Sequence, residues 1–149
     1  MLKLNMLVFF ITALVIPLAQ AEAPCHNSSD SSSNNLILAW AQQQHGHSVY
    51  QPIQIFYGDF TGDGMDDALA WILYPSGGNS DFLDVALFRY ENGQLSYYRS
   101  VDNVFGGNPR NVVITPGQIT LTTTMHKPDE PRCCPTGERD WVIETEKAE

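Results

Sequence analysis

The sequence predicts an α+β fold, with one N-terminal helix packed on a mainly antiparallel β-sheet of about six or seven strands. Three observations lead there: two tight-turn signals at Asn92-Gly93 and Pro116-Gly117, short apolar runs between polar turns, and a single helical periodicity near the start. In the helix, expected from Leu36 to about His45, residues Leu36, Ile37, Trp40 and Ala41 share a face. Asn34 or Asn35 is placed to cap its start and Gly46 to stop it. Ile53–Tyr57 alternates as a half-buried strand does, whereas Ala68–Tyr74 is apolar on both faces and is expected at the centre of the sheet. Phe82–Tyr90 and Leu95–Ser100 flank Asn92-Gly93, whose residues tolerate the positive φ of a two-residue hairpin. Asn111–Thr115 and Gln118–Thr124 flank Pro116-Gly117, where Pro presets φ and Gly lets the next φ be positive. Arg139–Thr145 is the last expected strand. Hairpins joined by short turns favour antiparallel pairing, and one helix suffices to cover one face.

The ends and composition bound the setting. Residues 1–21 combine Lys3, an apolar run from Leu7 to Leu18 and the small-x-small sequence Ala19-Gln20-Ala21, the pattern of a secretory signal peptide with Glu22 as the new N-terminus. The run is short for a bilayer span, so no membrane insertion is expected after cleavage. Pro24 precedes Cys25 where a lipoprotein needs a small residue, which argues against an acyl anchor. Residues 22–35, rich in Ser, Asn and Asp, read as a flexible leader, and residues 36–149 as a single domain. The expected location is therefore exported, periplasmic or extracellular. The formal charge is −9, and becomes −10 without Lys3, because all 17 acidic residues lie beyond residue 21. That excess disfavours nucleic acid and anionic membranes as partners. It suits calcium or a basic protein, and it also serves solubility alone.

The most informative segment is Gly58–Asp67, Gly-Asp-Phe-Thr-Gly-Asp-Gly-Met-Asp-Asp. With Asp59 as position 1, Thr61 is 3, Asp63 is 5, the Met65 carbonyl is 7 and Asp67 is 9, the alternation by which a loop wraps oxygen donors around calcium. Gly64 falls where such a loop bends sharply, and Asp66 is expected to face solvent. An EF-hand would carry Glu at position 12, which here is Ala70, between helices rather than strands. The spacing resembles the Asp-x-Asn-x-Asp-Gly-x-x-Asp loop of FG-GAP repeats, with Thr61 in place of Asn. One copy without an internal repeat excludes a propeller. The competing explanation is a solvated Asp- and Gly-rich turn without metal.

Three cysteines remain beyond the signal: Cys25, Cys133 and Cys134. A bridge from Cys25 to either partner closes a loop of roughly 100 residues, worth up to about 4 to 5 kcal/mol through chain entropy. A vicinal Cys133–Cys134 bridge is the alternative, and would be strained and more easily reduced. The run Cys133-Cys134-Pro135-Thr136, taken with the Asp loop, the Gly77-Gly78 turn and the Gly117-x-Ile119 turn, resembles small secreted bacterial proteins that include LppP/LprE-type lipoproteins. That resemblance implies an exported α+β domain without an established reaction.

Catalytic patterns are sparse. The chain carries no Gly-x-Ser-x-Gly elbow, phosphate-cradling glycine loop or His-Glu-x-x-His. Ser76 sits in a turn. His45 and His47 flank Gly46, where a histidine satisfies the last helical carbonyls. His126 with Cys133 and Cys134 lacks the spacing of a zinc site. Asp66 and Asp67 would act as an acid/base pair only if burial kept one protonated. Tyr97 and Tyr98 should point to opposite faces. The expected function is a non-catalytic, calcium-stabilised binding or accessory domain with an unidentified protein partner. The alternative is an acidic inhibitor or immunity-type protein of a basic hydrolase, which would capture one enzyme stoichiometrically and lower its activity.

Overall fold

The fold follows from the need to cover both faces of one apolar strand. The computed structural model describes residues 31–49, 53–131 and 133–147. The signal peptide, Cys25 and most of the leader fall outside them. Helix α1 spans Ser31–His45 and is followed by β1 (Gln54–Gly58), β2 (Asp67–Pro75), β3 (Asp81–Glu91) and β4 (Gln94–Ser100). Strands β5 (Gly107–Thr115), β6 (Gln118–Met125) and β7 (Gly137–Glu144) complete the fold. All pairings are antiparallel.

The seven strands do not form one sheet. They divide into a four-stranded sheet, β1-β2-β3-β4, and a three-stranded sheet, β5-β6-β7. The reason lies in β2, where six consecutive residues from Asp67 to Ile72 are buried. A helix covers one face only. Ala68, Ala70 and Ile72, with Ala86 and Phe88 of β3, lie under Ile37 and Ala41 of α1, and the small alanines let the helix come close. On the opposite face Leu69 and Trp71, with Val85 and Leu87, pack against Ile119, Leu121, Trp141 and Ile143 of the smaller sheet. The layers are therefore helix, sheet, sheet.

Helix α1 starts at Ser31, before the expected Leu36, so Asn34 and Asn35 are helical rather than capping. Tertiary contact overrides the weak propensity of this polar turn: Ser33 is buried, and the Tyr57 hydroxyl donates to Asn34 Oδ1 at 2.7 Å. The end is as expected, with Gly46 at φ +85° and its amide on the Gln42 carbonyl at 2.9 Å. Asn92 and Gly93 both take positive φ, as does Gly117, so both hairpin turns form where their residues predict. The register shifts between Leu87 and Phe88, whose partners are Arg99 and Tyr97, so Tyr98 is the extra residue of a bulge in β4. Tyr97 faces the helix side against Trp40, while Tyr98 packs toward Phe60 between the sheets.

Candidate metal centre

The β1–β2 connection is organised by its own carboxylates. Asp59 Oδ1 accepts from the amides of Gly62 at 2.5 Å and Asp63 at 3.2 Å and from the Thr61 hydroxyl at 3.3 Å, while Oδ2 accepts from the Gly64 amide at 2.8 Å. Asp63 Oδ1 accepts from the Met65 amide at 2.8 Å. Gly62 and Gly64 sit at φ +83° and +86°, the left-handed conformation that turns these amides inward. At Gly64 a Cβ would meet nothing within 4 Å, so backbone conformation rather than space calls for glycine there.

Asp67 has a different place. It is fully buried, with Oδ2 accepting from the amides of Phe60 at 3.1 Å and Thr61 at 3.0 Å, and Oδ1 from the Tyr90 amide at 2.9 Å. It thus ties both ends of the loop to β3. Burial raises its pKa above the ordinary aspartate value, although the amides of Tyr90 and Thr61 pull the other way. Asp66, expected to face solvent, is half-buried.

The loop also joins the two sheets. Phe60 is wholly buried between them, and its carbonyl accepts from the Gly117 amide at 2.8 Å and the Thr145 hydroxyl at 3.3 Å. A Cβ on Gly58 would lie 2.8 Å from Ile114 Cβ, and one on Gly62 would lie 3.1 Å from Pro116 Cβ. The loop is therefore seated on the β5–β6 turn.

Of the sequence-predicted donors, Asp59, Thr61, Asp63 and Met65 lie in one short turn with hard oxygen atoms, the chemistry calcium takes. Thr61 is nearly buried, with its hydroxyl committed to Asp59. Asp67 lies beside them with its oxygens on backbone amides. Among the described residues, no three His, Cys, Asp or Glu side chains gather into a metal-holding group. The donor types suit calcium, and Asp67 is the member whose surroundings differ from the expectation.

Two further sites were not evident from the sequence. His45 Nε2 lies 2.8 Å from Asp84 Oδ2, both side chains largely buried, so His45 does more than end a helix. This pair lines a groove of about 220 Å³ with Trp40, Gln44, Tyr97 and Ser100. Tyr74 stacks on His45 at 4.0 Å between ring centroids, and Trp40 stacks on Tyr97 at 4.5 Å. The second lies between β6 and β7. Glu130 accepts there from the amides of Lys127 at 3.1 Å and Thr136 at 3.0 Å and from the Thr136 hydroxyl. These bonds, led by the Thr136 hydroxyl, lower its pKa to about 2. Only the helical Gly46 flank and the Cys-Cys-Pro-Thr run hinted at either place; the pairing partners come from strand register, which a single sequence does not show.

Comparison with known proteins returned no matching family model, no matching curated protein and no matching solved structure.

Proposed function

We propose that this chain is an exported, non-catalytic binding or accessory domain of the bacterial envelope or extracellular space, in which calcium stabilises the junction of two sheets. The observation that carries the reading is the position of the Asp loop: its second residue, Phe60, is bonded through its carbonyl to Gly117 in the β5–β6 turn and to Thr145, just beyond β7. Asp59, Thr61, Asp63 and the Met65 carbonyl supply the ligands, with Asp67 fixing the loop ends from below and available to the ion only through lone pairs its amides leave free. An ion here neutralises carboxylates that otherwise repel one another, and so rigidifies the connection. The groove beside His45 and Asp84 offers aromatic surface and hydrogen-bonding groups for a small ligand or partner side chain.

Calorimetry and thermal melting of the mature chain test the reading. Affinity on the order of 10⁻⁴ to 10⁻³ M is expected for an extracellular calcium module. Calcium at ten times its Kd then adds about 1.4 kcal/mol of stability, and magnesium adds much less. Asp63→Ala should remove that gain while leaving the metal-free fold intact. Absence of heat and of any melting shift at millimolar calcium would defeat the calcium part of the proposal.

A further inference from the structure

We propose that Cys133 and Cys134 form a dithiol–disulfide couple with each other, and that the couple is oxidised by an organic disulfide seated in the adjoining cavity. Three observations converge on this pair. Both thiols are free and exposed, and their sulfurs lie 2.9 Å apart. A disulfide needs about 2.05 Å, so closure asks for a shift of under about 1 Å within the turn. Second, the turn is held at its base. Glu130 clamps Lys127 and Thr136, the Lys127 ammonium donates to the Thr136 hydroxyl at 2.8 Å, and the Cys134 amide bonds to the Pro131 carbonyl at 3.3 Å. The pair is thus presented from a fixed stalk rather than a loose end.

Third, Pro135, the residue after Cys134, lines a cavity of about 320 Å³ together with Gly106, Gly107, Thr124, Met125 and His126. That volume is at the lower end of small-molecule sites and suits one apolar ring. Gly106 is required there: a Cβ would fall 2.6 Å from both Thr123 Oγ1 and the Thr124 carbonyl. Gly107 is not so confined, since a Cβ on it meets nothing within 4 Å and its φ is ordinary.

The hydrogen bond between the thiols sets the order of events. Cys134 donates to the Cys133 sulfur, which places Cys133 as the first sulfur to attack. The same bond raises the pKa of Cys134, which keeps that thiol protonated until its turn. The Cys133 thiolate attacks one sulfur of the disulfide RSSR. The S–S bond breaks, RS⁻ leaves and takes up the proton that Cys133 gave up, and a mixed disulfide remains on Cys133. Cys134 then loses its proton and attacks the Cys133 sulfur, releasing the second RS⁻, which takes that proton. Two electrons pass from the dithiol to the disulfide, giving two RSH and one vicinal bridge.

This inference does not depend on the calcium reading. The test treats the full chain, reduced and then freed of reductant, with a neutral aromatic disulfide, dithiodipyridine, and with hydroxyethyl disulfide as a small comparison. Trapping by alkylation and peptide mapping should find a peptide lighter by two hydrogens that contains both Cys133 and Cys134, and it should form equally in Cys25→Ser. Cys134→Ser should stop at a mixed disulfide on Cys133. Cys133→Ser should react more slowly than Cys134→Ser, because the sulfur that attacks first is gone. Gly107→Leu should slow the aromatic disulfide about tenfold, equivalent to roughly 1.4 kcal/mol of lost apolar contact, and leave the small one unchanged. A bridge from Cys25 to either cysteine, or two thiols that stay alkylatable, overturns the couple. Equal rates in the two single variants overturn the order of attack, and equal slowing of both disulfides by Gly107→Leu overturns the role of the cavity.

Discussion

Two carboxylates, Asp67 and Glu130, each accept three hydrogen bonds, yet their pKa values are displaced in opposite directions. Asp67 takes three backbone amides and is wholly buried, and its pKa is raised. Glu130 takes two amides and a hydroxyl beside solvent, and its pKa falls to about 2. The bond count is the same, so burial decides. In the core the penalty for keeping a charge out of water exceeds what three donors return, whereas near the surface the donors act almost unopposed. The β1–β2 loop is thus built around a carboxylate that is costly to charge, and the cysteine turn around one that is easy to charge.

The largest expected effect comes from removing the buried member. Asp67→Ala leaves the amides of Phe60, Thr61 and Tyr90 without partners in or near the core. Each orphaned amide costs on the order of 1 to 3 kcal/mol, and relaxation recovers part of the total, so a loss of about 3 to 5 kcal/mol in denaturant unfolding is expected. Asp67→Asn should restore part of it, because its carbonyl still accepts while its NH₂ faces a donor. A loss below about 1 kcal/mol would show that Asp67 is not the tie between the loop and β3.

Acid sharpens the contrast, and its direction follows from the two displacements. Asp67 has a folded pKa above 3.8, so the folded state takes up this proton first as pH falls. Its contribution to stability therefore rises between its folded pKa and 3.8. Glu130 has a folded pKa of about 2 against 4.5 for an unperturbed glutamate. Its contribution is complete above 4.5 and is lost as pH falls toward 2. Unfolding midpoints of Glu130→Gln should accordingly start lower than those of the native chain at neutral pH and fall less steeply across the acid range. Parallel curves for the two proteins would show that Glu130 does not carry this part of the acid sensitivity.

The contrast also marks what a single sequence discloses. Turn chemistry is local, so Asn92-Gly93, Pro116-Gly117 and the Gly46 stop were all legible, as were the seven strands and the α+β class. The apolar character of β2 on both faces held the information that a second layer must cover it, but nothing local said that the strands after Val104 would supply that layer as a separate sheet. That Asp59, Thr61 and Asp63 share one turn was legible in their spacing. That Asp67 is turned to Tyr90, 23 residues away, depends on the β2–β3 register. His45 and Asp84 meet across 39 residues for the same kind of reason. Glu130 was invisible because a glutamate between two prolines carries no signal of the amides that will converge on it.

The smallest effect tests the less buried member alone. Thr136 gives Glu130 both its amide and its hydroxyl, and the hydroxyl contributes most to lowering the pKa. Thr136→Val removes the hydroxyl and keeps the amide and the β-branched shape. Glu130 then holds two bonds, and its midpoint should move up from about 2 toward 4.5 in a carboxyl titration followed by NMR. Stability should change little, since water replaces the lost donor at this solvent-facing site. At Asp67 the donors that lower the pKa most are backbone amides, with the Thr61 hydroxyl behind them. A Glu130 midpoint that stays near 2 in Thr136→Val would mean that the two amides suffice. The difference between the two carboxylates would then rest on burial alone, with no share for the hydroxyl.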